Sequence, residues 1–233
     1  MNEAPPIVLI PGLLASARLY APQLAPLWCV GPVTIANHTH ADTLSALARR
    51  ILDGAPPRFA LAGLSMGGYI AFEILRQAPE RVVKLALLDT SARADTAEQS
   101  AARRAQVELA TNGRLAEVVE TQFQRSVHRD HRADARLREV CERMAAEVGA
   151  EAFVRQQRAI SGRPDSRPFL KDIRCPVLVL VGDGDELTPP PLAQEIAAGI
   201  SGAQLVTVAH SGHLSTLEQP QTVTAALLAW LAA

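Results

Sequence analysis

The sequence of 233 residues has few cysteines, few aromatic residues and no long apolar run. Cys29, Cys141 and Cys175 are far apart and form no C-x-x-C pair, which argues against a disulfide framework and against a zinc knuckle. No apolar run approaches the roughly 18 residues of a membrane-spanning helix. The first residues carry neither a basic segment nor a small-residue cleavage site, so we expect no secretory signal. Together with three reduced thiols, this predicts a cytoplasmic protein.

An excess of charge of one sign is also lacking, since the formal net charge is -1 and the pI about 6.6. Nothing in this balance favours binding to nucleic acid, and we expect neither a nucleic-acid nor a membrane partner. Hydrophobic residues make up 48% of the chain, enough to bury a large core, which excludes global disorder. The length suits one domain with an insert better than two full domains, and the oligomeric state stays open.

Six short apolar runs are typical of strands that are buried on both faces of a parallel sheet. They cover residues 7–10, 33–36, 59–62, 83–88, 177–181 and, more weakly, 204–208. Amphipathic stretches alternate with them at residues 42–54, 66–77, 190–200 and 220–231, and Asp42 is the predicted N-cap of the first. The alternation predicts an α/β fold, a doubly wound and mostly parallel sheet of about six strands flanked by helices.

Residues 92–172 break the alternation, because they contain helical pattern and no credible strand. They hold 15 of the 23 basic and 13 of the 24 acidic residues, as helices with a solvated face do. Predicted helices cover residues 95–112, 113–127, 133–148 and 151–161. The insert leaves the carboxyl end of a strand, where such sheets bind ligands. We therefore predict a core of residues 1–91 and 173–233 with a helical cap, or lid, of residues 92–172.

A G-x-S-x-G motif, Gly63-Leu64-Ser65-Met66-Gly67, lies between a predicted strand and a predicted helix. A sharp strand-to-helix turn strains the serine backbone and projects its hydroxyl above the sheet, and it requires very small residues two positions before and two positions after the serine, as Gly63 and Gly67 are. The turn also places Ser65 at the positive end of a helix, where developing negative charge is stabilised. Ser65 is therefore the predicted nucleophile.

A serine hydroxyl needs a base to take its proton and an acid to orient that base, and here the expected chain order is serine, acid, histidine. Asp185 follows the run at 177–181 and is the preferred acid. Asp183, which could instead hold the turn, and Asp89 remain alternatives, and Glu186 carries little weight.

His213 is the preferred base, because it follows the run at 204–208 and precedes the last predicted helix. His210 is its competitor. The other four histidines lack such a strand–loop context, and the pair His38-x-His40 has no third ligand that would make a metal site. These four are His38, His40, His128 and His131.

The first strand runs into Pro11-Gly12-Leu13-Leu14, where a glycine lets a backbone N–H turn toward a reacting carbonyl. The N–H groups of Leu13 and of the residue after the nucleophile, Met66, are the predicted oxyanion donors. We expect the side chains of Leu13, Met66 and Leu14 to line a mostly apolar pocket, with Leu14 in contact with substrate.

Four segments carry a resemblance to the α/β-hydrolase superfamily in its compact form with a helical cap. They are IPGLL at 10–14, GLSMGG at 63–68, LVGDGDELTPP at 180–190 and SGHLSTLEQP at 211–220. By that resemblance Ser65, Asp185 and His213 match a catalytic triad, and Leu13 and Met66 match the oxyanion donors. GLSMGG and the closing segment are similar to a branch with small esterases, enol-lactonases and carbon–carbon hydrolases.

The chain departs from that family at two points. Many relatives carry His-Gly where this chain has Pro11-Gly12, so one side-chain interaction is missing although the backbone donor should remain. Only six residues precede the first strand, so we expect no N-terminal antiparallel hairpin.

The resemblance implies a serine hydrolase that cleaves a small carboxylic ester or related acyl substrate through an acyl-enzyme, with no cofactor and no metal. A serine at this position argues against dehalogenase and epoxide hydrolase chemistry, which use aspartate there. Two alternatives stay open: carbon–carbon bond hydrolysis, lactone hydrolysis or elimination by the same triad, and a non-catalytic receptor for a small ligand.

Overall fold

The computed structural model describes residues 5–233, which form one parallel sheet between layers of helices. The six strands are β1 (Ile7–Ile10), β2 (Val33–Ile35), β3 (Phe59–Leu64), β4 (Val82–Leu88), β5 (Val177–Gly182) and β6 (Gln204–Val208). Their order across the sheet is β2-β1-β3-β4-β5-β6, and all five strand pairs are parallel. The predicted six-stranded parallel sheet is confirmed, and none of the strands described is antiparallel.

Nine α-helices, together with four short 3-10 helices, connect and cover the strands in the described part of the chain. They are α1 (Ala21–Trp28), α2 (Leu44–Gly54), α3 (Met66–Gln77), α4 (Ala97–Thr111), α5 (Leu115–Ser126), α6 (Ala135–Ser161), α7 (Pro190–Gly199), α8 (Ser215–Glu218) and α9 (Pro220–Ala232). Among residues 5–233, no helix combines the length and apolar character needed to cross a bilayer.

Strand residues alternate between two cores, one on each face of the sheet, because successive side chains in a strand point to opposite faces. In β1, Val8 and Ile10 join the core under α2, α3 and α7, whereas Ile7 and Leu9 join the core under α1 and α9. All four residues of β1 are buried, so the continuous apolar run at residues 7–10 reflects two-sided burial.

The structure corrects the predicted start of α2. The prediction gave Asp42 as the N-cap, but the side chain of Thr43 accepts the hydrogen bond from the N–H of Ala46, at 3.2 Å. Thr43 is extended, with φ -133° and ψ 145°, and directly precedes the helix, so the cap lies one residue later.

Two further helices differ from the prediction. The helix α1 was missed, since Pro22 and Pro26 interrupt the pattern that signals a helix. The two helices predicted at 133–148 and 151–161 form the single span α6, which is broken at Gly149, where φ is 77° and ψ 164°. The rest of the helical insert, defined as residues 92–172, has α4 and α5 close to their predicted positions.

The strand order reverses between β1 and β3, because the chain moves outward from β1 to β2 and then returns to pair β3 with β1. Ligands bind in the crevice outside the carboxyl ends of strands at such a point. Ile10 and Gly63 are partners in register at this place. The residues that follow β1 and β3 therefore meet at the mouth of the crevice.

Candidate functional site

Ser65 follows β3 directly and is the N-cap residue of α3, with φ 55° and ψ -113°. No side chain larger than hydrogen fits two residues before it or two residues after it. A Cβ on Gly63 would lie 2.3 Å from the carbonyl oxygen of Gly67, and a Cβ on Gly67 would lie 2.1 Å from the carbonyl oxygen of Ile10. The close approach of β1, β3 and α3 thus fixes the turn that carries the serine.

The backbone strain in the described chain is concentrated at the carboxyl edge of the sheet. Four non-glycine residues of the described chain have positive φ, and each follows a strand: Leu14 after β1, Ser65 after β3, Asp89 after β4 and His210 after β6. Such conformations cost on the order of 1–3 kcal/mol each and persist where the surrounding structure holds them. Strain of this kind is common at functional sites.

Asp185 and His213, the preferred acid and base, are hydrogen-bonded to each other and buried. Nδ1 of His213 lies 2.8 Å from Oδ2 of Asp185. The carboxylate also accepts hydrogen bonds from the N–H groups of Leu187 and Thr188 and from the Thr188 hydroxyl, at 2.8, 2.9 and 2.7 Å. Four donors therefore hold one carboxylate in a fixed orientation, and the imidazole is fixed with it.

The opposite charges of this pair favour the ionised form of each group, so the pKa of Asp185 is lowered and that of His213 is raised. Burial alone would raise the pKa of Asp185, but the positive charge and hydrogen bond of His213 bring it below its usual value. Burial alone would lower the pKa of His213, but Asp185 raises it above its usual value. The imidazole is therefore a stronger base than a free histidine side chain.

The other acids have different partners. Asp89 is fully buried and accepts hydrogen bonds from the N–H of Gly182 and from the Ser215 hydroxyl. Burial and the negative charge of Asp185 raise its pKa well above the usual value. Asp183 accepts a hydrogen bond from the N–H of Ser211 at 3.2 Å, so it links two loops.

Glu186 and His210 also lie outside the hydrogen-bonded pair. Glu186 is exposed and forms an ion pair with Arg132 of the insert at 2.6 Å. The side chain of His210 is 74% exposed and lies 3.6 Å from a carboxylate oxygen of Asp130. Of the two histidines considered as base, His213 alone contacts Asp185 among the residues described.

Ser65 and His213 line the same cavity, which has a volume of about 300 Å³ and lies between the sheet edge and the insert. Leu13, Leu64 and Leu214 line it on the side of the sheet, and α4 and α5 contribute residues from the insert. The lining is more apolar than polar, as expected, but the insert adds positive charge that the sequence did not lead us to expect. Four arginines line the cavity there: Arg93, Arg103, Arg125 and Arg163.

The two predicted donor N–H groups flank the serine. A Cβ on Gly12 would lie 3.4 Å from the Cβ of Ser65, so the loop after β1 packs directly against the serine. Within residues 5–233, neither the N–H of Leu13 nor that of Met66 donates a hydrogen bond to the protein. Both N–H groups are therefore available to another acceptor.

Two predicted lining residues lie elsewhere. The N–H of Leu14 donates to Oε1 of Gln156 in α6, and its side chain packs in a small cluster with insert residues such as Phe153. The left-handed backbone of Leu14 turns the chain at this point. The side chain of Met66 is fully buried in the core shared with α3. Of the three expected side chains, only Leu13 lines the cavity.

Two residues that hold the site were not predicted from the sequence. Nε2 of the buried His38 lies 2.8 Å from the carbonyl oxygen of Gly12, and burial lowers the pKa of His38 to about 4. The imidazole is therefore neutral near pH 7, and its N–H donates to this carbonyl. The second residue is Thr188, which holds the Asp185 carboxylate. Its position three residues after Asp185 could have predicted this contact, since aspartates commonly bind N–H groups two or three residues later.

A second cluster could offer three ligands to a metal ion. His128, Asp130 and His210 each place a ligand atom within 4.8 Å of the others. His128 is buried, while the other two residues are exposed, and none of the three is among the residues that line the cavity.

Comparisons with known proteins agree with this architecture. A family model described as the alpha/beta hydrolase family matches residues 7–227. BpoC of Mycobacterium tuberculosis, whose name describes a non-heme bromoperoxidase, is 29% identical over an alignment of 201 residues that covers 82% of this chain and 73% of that protein. A pimeloyl-[acyl-carrier protein] methyl ester esterase of Aromatoleum aromaticum is 27% identical over 224 residues, covering 91% and 87%. The structure of a thermophilic esterase from Thermogutta terrifontis superposes with a TM-score of 0.90 at 28% identity, over 100% of this chain and 91% of that one.

Proposed function

Because the chain belongs to the alpha/beta hydrolase family and is an enzyme of that family, we propose that it hydrolyses small carboxylic esters with a Ser65–His213–Asp185 triad. The observation that supports this most is the 2.8 Å contact between His213 and Asp185 beside a cavity that Ser65 also lines. Two relatives at 27% and 28% identity are named esterases, which favours an ester as the substrate.

In the proposed mechanism, Nε2 of His213 takes the proton of the Ser65 hydroxyl as the oxygen attacks the ester carbonyl. Asp185 keeps the imidazole in the required orientation and stabilises its protonated form. The negative charge that develops on the carbonyl oxygen is bound by the N–H groups of Leu13 and Met66, which have no acceptor within residues 5–233. Two such donors commonly contribute several kcal/mol to a transition state.

His213 then gives its proton to the departing alkoxide, and an acyl-enzyme remains on Ser65. Water, deprotonated by His213, attacks this acyl group, and collapse of the second tetrahedral intermediate releases the acid and restores the serine. The proposed chemistry uses only protein groups.

We also propose that the insert, residues 92–172, forms a cap over the core of residues 1–91 and 173–233. Residues of α4 and α5 line the cavity opposite Ser65, and Gln156 of α6 holds the N–H of Leu14 in the loop after β1. In this arrangement the core supplies the reacting groups and the cap surrounds the rest of the substrate.

The proposal is tested with short-chain 4-nitrophenyl esters and the variant Ser65→Ala. We expect kcat to fall by a factor of at least about 10³, because the nucleophile is lost while the oxyanion donors remain. Ser91→Ala is the matched control, since Ser91 lines the same cavity but lies outside the strand–helix turn, and it should keep most of the activity. Absence of ester turnover by the wild-type protein, combined with binding of a small ligand, would instead support the receptor alternative.

A further inference from the structure

The wall of the cavity on the insert side carries a marked excess of positive charge. Its four arginines are faced by two carboxylates: Asp95 pairs with Arg103 and Arg163, and Glu195 pairs with Arg93. Among the described residues that line the cavity, none is aspartate or glutamate. Two of the four guanidinium charges therefore have no matching carboxylate in this arrangement.

Arg103 is held in place before any ligand binds. Its Nε lies 2.6 Å from Asp95, and one of its terminal nitrogens donates to the buried Gln157 at 2.9 Å. Gln157 is itself fixed by a hydrogen bond to Gln106 at 2.7 Å. The guanidinium carries five N–H donors, and these contacts together with a second one to Asp95 use three of them. Two donors remain on a fixed group that lines the cavity.

Arg125 supplies the charge that is least compensated. It lies near the end of α5 and lines the cavity, and its exposed side chain forms no ion pair or hydrogen bond with any other residue in the range 5–233. The next residue, Ser126, accepts a hydrogen bond from the N–H of His213 through its carbonyl oxygen, at 2.7 Å. Arg125 is therefore anchored through its backbone beside the proposed base, while its side chain is available to a ligand.

We infer that Arg103 and Arg125 bind a carboxylate on the substrate itself, so that the preferred substrate is an ester that carries a second, ionised carboxyl group. This inference rests on the ester hydrolysis proposed above, because Ser65 and the arginines share one cavity of about 300 Å³. That volume is at the small end of ligand sites and suits a short chain between the two groups. A guanidinium fork matches the geometry of a carboxylate and can bind it through two parallel hydrogen bonds.

The substrate preference is measured with two matched series of methyl esters. One series contains the monomethyl esters of straight-chain diacids with four to seven carbons, and the other contains the methyl esters of the corresponding monoacids. The members of a pair differ only in a carboxylate that replaces a terminal methyl group. We expect kcat/KM, followed by acid release at constant pH, to be at least about tenfold higher for one or more diacid esters than for their partners.

Two arginine variants separate the cavity from the general effect of charge. Arg125→Gln should lower kcat/KM for the preferred diacid ester by about tenfold and change that of its neutral partner by less than about twofold. Arg50→Gln removes the same charge from an exposed site on α2 away from the cavity and should change neither value.

Binding of the esters to the inactive variant Ser65→Ala tests the carboxylate site separately from ester hydrolysis by Ser65. A nuclear magnetic resonance titration should give tighter binding of the diacid ester than of the neutral ester, and adding Arg125→Gln should remove the difference. Equal affinities, or an equal loss for both esters, would overturn the carboxylate site even if ester hydrolysis by Ser65 is established. Selective, Arg125-dependent binding without hydrolysis by the wild type would support the carboxylate site and overturn the hydrolase.

Discussion

The carboxyl edge of the sheet and the helical insert line the same cavity, yet they are built in different ways. At the sheet edge, Asp185 and His213 are buried, and glycines such as Gly63 leave no room for a larger residue. On the insert, the lining groups include arginines held by ion pairs and amides held by hydrogen bonds, as in the contacts of Arg103 with Asp95 and of Gln106 with Gln157. The proposed reacting groups thus lie on the buried edge of the sheet, and the wall opposite them is charged.

This contrast indicates a division of roles. Strands buried on both faces move little, and they can hold reacting groups within the narrow tolerance that catalysis requires. Side chains on surface helices can change without disturbing those strands. We therefore expect substitutions of the proposed reacting groups at the sheet edge to lower kcat for every ester, and substitutions of the arginines in the insert to alter selectivity among esters.

The largest expected effect distinguishes the two histidines of the last loop. His213→Gln should lower kcat on the order of 10⁴-fold for all esters, because the proposed general base is lost. His210→Gln should retain nearly full activity, since the side chain of His210 is 74% exposed and does not contact Asp185. Steady-state kinetics of both variants, with circular dichroism as a check on folding, makes the test. An equal loss in the two variants would contradict the assignment.

The pH dependence tests the electrostatics of the sheet edge. The base must be neutral to take the serine proton, so activity is lost as the pH falls through the pKa of His213. Asp185 raises this pKa, and the inflection in kcat/KM should lie above the ordinary histidine value of about 6.5. Below it, the rate should fall about tenfold per pH unit. A pH–rate profile that is flat down to pH 5 would rule out His213 as the base.

A smaller effect is expected at His38, which donates to the carbonyl of Gly12 and so positions the N–H of Leu13. His38→Leu should lower kcat by about tenfold with little change in KM, because the oxyanion donor loses its alignment. His38→Asn, which keeps a donor, should recover part of the loss. His40→Leu, at an exposed site two residues later, is the control. A higher KM with an unchanged kcat would indicate that His38 supports substrate binding instead.

The sheet could be predicted from the sequence because its strands are buried on both faces and read as continuous apolar runs. Residues 204–208 were the weakest of these runs, and β6 is indeed largely exposed at the edge of the sheet. The helix α1 could not be found this way, since two of its eight residues are prolines. Local pattern identifies an element only where burial is regular.

The candidate triad could also be predicted, because each member follows a strand and parallel strands end at one edge. The choice among Asp89, Asp183 and Asp185 needed the structure, since all three follow a strand and only their partners differ. The contact of His38 with Gly12 joins the loop after β2 to the loop after β1, and no local sequence pattern predicts it. The arginines that line the cavity could not be predicted, because the insert contains many charged residues and the sequence does not show which of them face the cavity.

The most direct test of the account is to treat the protein with a fluorophosphonate and map the adduct by mass spectrometry. A serine activated by His213 reacts with this reagent, whereas an ordinary serine does not. We predict a single adduct on Ser65, which is absent from heat-denatured protein and strongly reduced in His213→Gln. An unlabelled native protein, or an adduct on another residue such as Ser91, would contradict the proposed triad.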